Sequence, residues 1–121
     1  MKDRSRIRDR RNSTRIKISS SAIYTRFDNK GRACEQKASK SMDISSGGVR
    51  IKSDFPVDSG ELLEITIALG PNMVSFKGRV VHANPSEGQG FELGISIEEI
   101  DNQDRVALTR FVIQKWRREG I

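Results

Sequence analysis

From residue 15 onward, apolar side chains recur at every second position over short stretches, a period that predicts β-strands. Ile16, Ile18, Ala22-Ile23-Tyr24 and Phe27 are interleaved with Ser, Thr and Lys, which suits one strand or a bulged pair. Asp28-Asn29-Lys30-Gly31 is a hairpin turn signal, and residues 33–42 then read as the return strand. Val49-Arg50-Ile51 alternates as a short strand, broken by Phe55-Pro56 and Asp58-Ser59-Gly60. Leu62 to Leu69 is a longer strand, and Gly70-Pro71-Asn72 turns the chain. Met73 to Ala83 alternates through Val74, Phe76 and Val80, with a bulge expected near Gly78. A turn from Asn84-Pro85 to Gly88 precedes Phe91, Leu93, Ile95 and Ile97, which alternate against Glu92, Gly94, Ser96 and Glu98.

The last segment changes period. Leu108, Phe111, Val112 and Trp116 recur at helical spacing. Asp101 suits the cap, Asp104 the first turn, Arg117-Arg118 the last turn and Gly120 the stop. About six short strands separated by turn signals predict a small antiparallel barrel or sandwich, closed by one amphipathic helix over about 101–118. Val112 and Trp116 face either the barrel or a second subunit, so monomer and dimer both stay open.

Charge divides the chain more sharply than hydropathy does. Residues 1–17 hold eight bases and two acids; with 22 bases and 16 acids in all, the other 104 residues balance at fourteen of each. The reading is a flexible basic arm over residues 1–14 on a single domain over 15–121 that is neutral from residue 18 onward. The arm's partner is expected to be an anion: a phosphate ligand, a nucleic acid, or an acidic protein or lipid surface. No stretch approaches the roughly 18 apolar residues of a membrane helix, so no membrane insertion is expected. Cys34 is the only cysteine, which excludes an internal disulfide and suits a reducing, cytoplasmic setting.

Little in the sequence supports catalysis. His82 is the only histidine and lies in a strand-like run, where a structural or surface role is expected. Cys34 has no histidine near it in sequence. Glu98-Glu99 and Asp101/Asp104 suit the electrostatics of a helix start. No zinc-ligand spacing, phosphate-loop signature or serine-nucleophile motif is present. The chain is therefore not expected to be an enzyme, nor to hold a metal or cofactor.

Two short segments remain. Arg11-Asn12-Ser13-Thr14-Arg15 spaces two arginines as R-x-x-x-R, the second against the first strand. Asp43-Ile44-Ser45-Ser46-Gly47-Gly48 places an acid, two hydroxyls and two glycines just before Val49, a composition that reads as a turn or ligand loop rather than a core strand. Together they suit a guanine nucleotide. Guanidinium forks pair with phosphate oxygens and with the O6/N7 edge of guanine. A carboxylate accepts from guanine N1–H and N2–H, a donor pair that adenine lacks. Serine hydroxyls bond phosphate or base, and glycine lets backbone amides approach.

R-x-x-x-R followed about thirty residues later by D-x-S-x-x-G resembles the PilZ domain, a receptor for the bacterial second messenger cyclic di-GMP. Gly78-Arg79-Val80-Val81 and Phe91-Glu92-Leu93-Gly94-Ile95 resemble the family's later barrel strands, and Asp101 to Phe111 its closing helix. The resemblance implies a mainly β fold: a six-stranded antiparallel split barrel with a C-terminal helix. It implies that Arg11 and Arg15 grip guanine and phosphate, that Asp43 and Ser45 contact guanine and the ligand backbone, and that Gly48 shapes the loop. Arg10, just before the first motif arginine, is implied to stack on a guanine, which the family associates with an intercalated ligand dimer. The further R-x-x-x-R copies, Arg4/Arg8 and Arg6/Arg10, do not abut the first strand.

The expected function is binding of cyclic di-GMP between arm and loop, with ordering of the arm relaying the signal to a separate, unidentified protein. Two alternatives stand beside it. One is a basic-armed barrel that binds RNA or DNA, disfavoured by 6% aromatic content and a charge-neutral barrel. The other is a PilZ-like module that docks a protein without any ligand.

Overall fold

The computed structural model describes residues 15–119, so the arm over 1–14, with Arg10 and Arg11, lies outside the described residues. Six strands follow in order: β1 (Ile16–Phe27), β2 (Ala33–Ile44), β3 (Gly48–Ser53), β4 (Leu62–Leu69), β5 (Asn72–Pro85) and β6 (Phe91–Glu99). One helix, α1 (Asn102–Glu119), ends the described chain. The strands close into an antiparallel barrel in the order β1-β2-β3-β6-β5-β4. Fold class and helix match the expectation from sequence.

The two-residue period is the reason the barrel has a dry interior. Tyr24, Val49, Ile51, Leu63, Ile65, Ile67, Val74, Val80 and Leu93 point inward and are almost fully buried. Each such aliphatic side chain contributes about 1.5–3 kcal/mol on burial. Tyr24 brings a hydroxyl into this core, and Ser53 answers it at 2.7 Å. Ser53 Oγ in turn donates to the Phe55 carbonyl at 2.8 Å. Burial raises the Tyr24 phenol above its ordinary pKa, so it stays a neutral hydrogen-bonding group.

The turns form as their residues dictate. Asp28 accepts from the Lys30 and Arg32 amides, and Gly31 supplies the positive φ of the β1–β2 hairpin. Asp101 caps α1 by accepting from the Asp104 amide at 2.9 Å. Leu108 and Val112 seat the helix on the core, whereas Trp116 is left 49% exposed. The register of β5 against β6 shifts between Lys77 and Gly78, at the expected bulge.

Two boundaries differ from the sequence reading. Asn84-Pro85, expected to begin a turn, still pairs with Phe91 and Glu92 and ends β5. More consequentially, Asp43 and Ile44 are not loop: they are the last residues of β2, and Gly48 is the first of β3. Only Ser45, Ser46 and Gly47 form the turn. Ile44 completes the core opposite Val49, and the strand tolerates Asp43 because arginines neutralise it.

Candidate ligand site on the outer barrel face

A bulge sets the site. Ser41 pairs with Ile51 and Asp43 with Arg50, with Met42 as the extra residue between them. Ser41 and Ile44 both lie in the interior, three positions apart, and strict alternation from Ser41 would have sent Asp43 inward too. The extra residue instead puts Asp43 beside Arg50 on the outer face. There Asp43, Arg50, Gly94 and His82 form one row across β2, β3, β6 and β5.

The Asp43 side chain is only 7% exposed because two guanidiniums cover it. Arg15 Nη1 donates to Oδ1 at 2.8 Å. Arg50 Nε donates to Oδ2 at 2.8 Å, with Nη2 at 2.6 Å from the same oxygen. Arg50 Nη1 also reaches Glu92 at 3.3 Å. Carboxylate oxygens hold about two lone pairs each, so Arg50 occupies Oδ2 and, among the described residues, Oδ1 keeps one acceptor position free. Arg15 has this one hydrogen bond among the described residues and its side chain is 47% exposed, so most of its five donors face outward.

Two glycines keep the floor flat. A Cβ on Gly48 would run into the Ile95 carbonyl across the β3–β6 pair. One on Gly94 would collide with the His82 imidazole, which lies over that glycine. Arg15, Gly48, His82, Gly94 and Ser96 thus bound a shallow depression of about 360 Å³.

The 45–47 turn is internally braced. Ser45 Oγ accepts from the Gly47 amide at 3.3 Å and donates to the Gly48 carbonyl at 3.4 Å. The Ser45 amide also meets that carbonyl at 2.9 Å, and the Ile97 amide donates to the Gly47 carbonyl at 2.9 Å. Ser45 is therefore buried, its hydroxyl engaged in the turn rather than presented to the depression. From α1, Arg105 Nη1 donates to the Ser46 carbonyl at 2.7 Å.

Of the six residues singled out from sequence, Arg15, Asp43, Ser45 and Gly48 are brought together here; Arg10 and Arg11 lie outside the described residues. Arg50, His82 and Arg105 were missed. His82 was assigned to structure or surface, and its place on Gly94 follows from the register of β5 on β6, which no local pattern reveals. The arrangement offers hydrogen-bond donors for an anion, one acceptor for a base edge and a flat floor. Among the described residues no group of His, Cys, Asp and Glu is placed to hold a metal, and no helix is long and apolar enough to cross a membrane.

The chain is similar to solved structures at low identity. It aligns with the Bacillus subtilis inhibitor of motility MotI/DgrA at a TM-score of 0.75 and 18% identity, over 88% of this chain and 51% of that one, so it spans about half that protein's length. It aligns with the PilZ domain of Escherichia coli YcgR, solved with c-di-GMP, at a TM-score of 0.65 and 12% identity, over 86% of this chain and 89% of that one. The PilZ domain of CeSA from a cellulose-synthesising bacterium gives a TM-score of 0.59 at 18% identity, over 83% and 95% of the two chains. No curated protein sequence matches significantly. The family model for the PilZ domain matches residues 9–114. With that match spanning most of the sequence, and with the closed six-stranded barrel and its helix, the chain belongs to the PilZ domain family.

Proposed function

We propose that this protein is a receptor for cyclic di-GMP, bound on the outer face across the Asp43–Arg50–Gly94–His82 row. The observation that carries the reading is the Arg15–Asp43 pair beside the glycine floor. It juxtaposes a guanidinium with free donors and a carboxylate with a free acceptor, the two groups that a guanylate ligand needs.

Binding then works as an exchange. Arg15 releases Oδ1 and turns its fork to a ligand phosphate or to guanine O6/N7. Oδ1 regains its second lone pair and accepts guanine N1–H and N2–H. Arg50 keeps Oδ2 and holds the carboxylate in orientation. The glycine floor admits the flat base, and the His82 imidazole supplies a stacking wall. Ser45 acts by bracing the turn. Arg10 and Arg11 of the arm close over the ligand, with Arg10 placed to stack on a guanine, and arm closure passes the signal to a separate protein. Charge-assisted hydrogen bonds contribute about 1.5–3 kcal/mol each, while each ordered arm residue costs about 1–2 kcal/mol. Several contacts must therefore form together for the arm to close. The solved c-di-GMP complex of the YcgR PilZ domain, similar in fold, supports the choice of ligand.

The test is calorimetric titration with cyclic di-GMP, alongside cyclic di-AMP, GTP and a short RNA, at two salt concentrations. Micromolar or tighter binding confined to cyclic di-GMP is expected, and stoichiometry reports whether one or two ligands enter. Steeply salt-dependent RNA binding without a cyclic di-GMP response would replace this reading with the nucleic-acid one.

A further inference from the structure

The inner face of α1 is committed to the barrel through Leu108 and Val112, yet its outer face is not polar. Val106 and Ile113, seven residues and so about two turns apart, are 52% and 42% exposed, with Trp116 at 49% beside them. Val106 and Ile113 line a shallow hollow of about 440 Å³ on the surface of the helix itself, bordered by Arg105, Arg110 and Arg117 and by no acid. Arg117 in the last turn complements the helix dipole, but Arg110 sits mid-helix, where the dipole gives it no role. Among the described residues neither Arg110 nor Arg117 has an ion-pair partner. Isolated exposed aliphatics are ordinary; an apolar pair seven apart on one helix face, flanked by arginines with no ion-pair partner among the described residues, suits an amphipathic partner of opposite charge.

We propose that this outer face of α1 docks an acidic segment of a partner protein, which seats an apolar side chain between Val106 and Ile113 and pairs carboxylates with Arg110 and Arg117. Charge complementarity names the sign of the occupant. The exposed Val106–Ile113 pair names its form, because an apolar stripe along one helix face is covered by the apolar face of a second helix. Docking here does not depend on the cyclic di-GMP reading. Any ligand control of it does, and would run through Arg105, which borders the hollow and holds the Ser46 carbonyl.

Trp116 is the only tryptophan, so its emission reports on this face directly. The probe is a synthetic amphipathic helix with leucines at i, i+3 and i+7 flanked by glutamates, titrated into the full chain without cyclic di-GMP. A matched peptide with lysine for glutamate, and vesicles of phosphatidylglycerol, are run in parallel. The acidic peptide is expected to shift Trp116 emission to the blue saturably. The Arg110→Glu, Arg117→Glu double variant, with unchanged circular dichroism, should bind it at least about 10-fold more weakly, roughly 1.4 kcal/mol, and should gain binding to the lysine peptide. Ile113→Ser should weaken the acidic peptide by a similar factor. The proposal is overturned by no shift up to about 1 mM peptide, by equal binding of both peptides, by indifference to the charge swap, or by a response to vesicles alone. Failure here with intact calorimetric binding of cyclic di-GMP would remove the docking face and leave the receptor reading untouched.

Discussion

The barrel carries two arginine–carboxylate clusters that centre on opposite charges. At one, Asp43 lies between the guanidiniums of Arg15 and Arg50. At the other, Arg26 lies between the carboxylates of Glu61 and Glu35. Arg26 gives Nε and Nη2 to Glu61 at 3.1 and 2.7 Å and Nη1 to Glu35 at 3.3 Å, with its side chain 28% exposed. Hydrogen bonding to Glu61 holds its pKa above the ordinary arginine value. Glu61 also accepts from the Asp58 amide at 3.0 Å, so this cluster pins a loop to β1. The charge at the centre separates the roles. Where an arginine is central, all three of its nitrogens are engaged and the cluster is a brace. Where a carboxylate is central, the half-exposed Arg15 at its edge keeps donors for an incoming anion.

The comparison breaks most sharply on Arg15 itself. Arg15→Ala should weaken cyclic di-GMP by about 100-fold, near 2.7 kcal/mol, without unfolding the barrel as judged by circular dichroism. Binding at parental affinity would place the ligand elsewhere. Asp43→Asn should cost about 10-fold in cyclic di-GMP affinity and narrow the preference over cyclic di-AMP. An equal loss for both ligands would remove the guanine-reading role of the carboxylate. The converse experiment is Arg26→Ala, expected to lower the melting temperature by about 3–6 °C, the equivalent of roughly 1 kcal/mol, and to leave binding within about twofold. If it abolished ligand affinity instead, the division between brace and site would fail.

A half-exposed surface pair sets the lower bound. Arg79 Nε and Nη2 donate to Glu98 at 2.9 and 3.0 Å, and this hydrogen bonding holds the Glu98 carboxyl below its usual range. Because the folded value is depressed, the stabilisation is present above the unfolded pKa and is lost as pH falls through the folded one. Glu98→Gln should therefore lower the melting temperature by a barely measurable amount at neutral pH. The difference should vanish once pH has fallen through the depressed folded value. A large effect at pH 7 would mean that surface pairs in this barrel count for more than their exposure allows.

How far the sequence disclosed all this depended on whether a feature is local. The strands of Leu62–Leu69 and Phe91–Glu99 were legible because their period is carried by adjacent residues, and the Asp101 cap because it acts three residues ahead. The loop motif was legible in composition but not in form. Asp, Ser and Gly are turn formers, yet Asp43 stays in β2 because Arg15 and Arg50, distant or across a strand, neutralise it. The bulge at Met42 leaves no local mark, and it is what turns Asp43 to the outside. His82 and Arg105 join the site only through strand register and helix docking, which are set by the core as a whole.

Closure of the barrel has a consequence for how a message can leave it. Around the site, β2 from Lys40 onward, β3 and β6 as far as Ser96 are paired on both sides, so there the sheet offers no vacant lane along which a second polypeptide could be threaded by main-chain pairing. Recognition of this part of the barrel by another protein must therefore be written in side chains, a more specific and more readily altered script than the backbone supplies. That leaves the barrel free to keep its architecture while its surfaces are rewritten for different listeners.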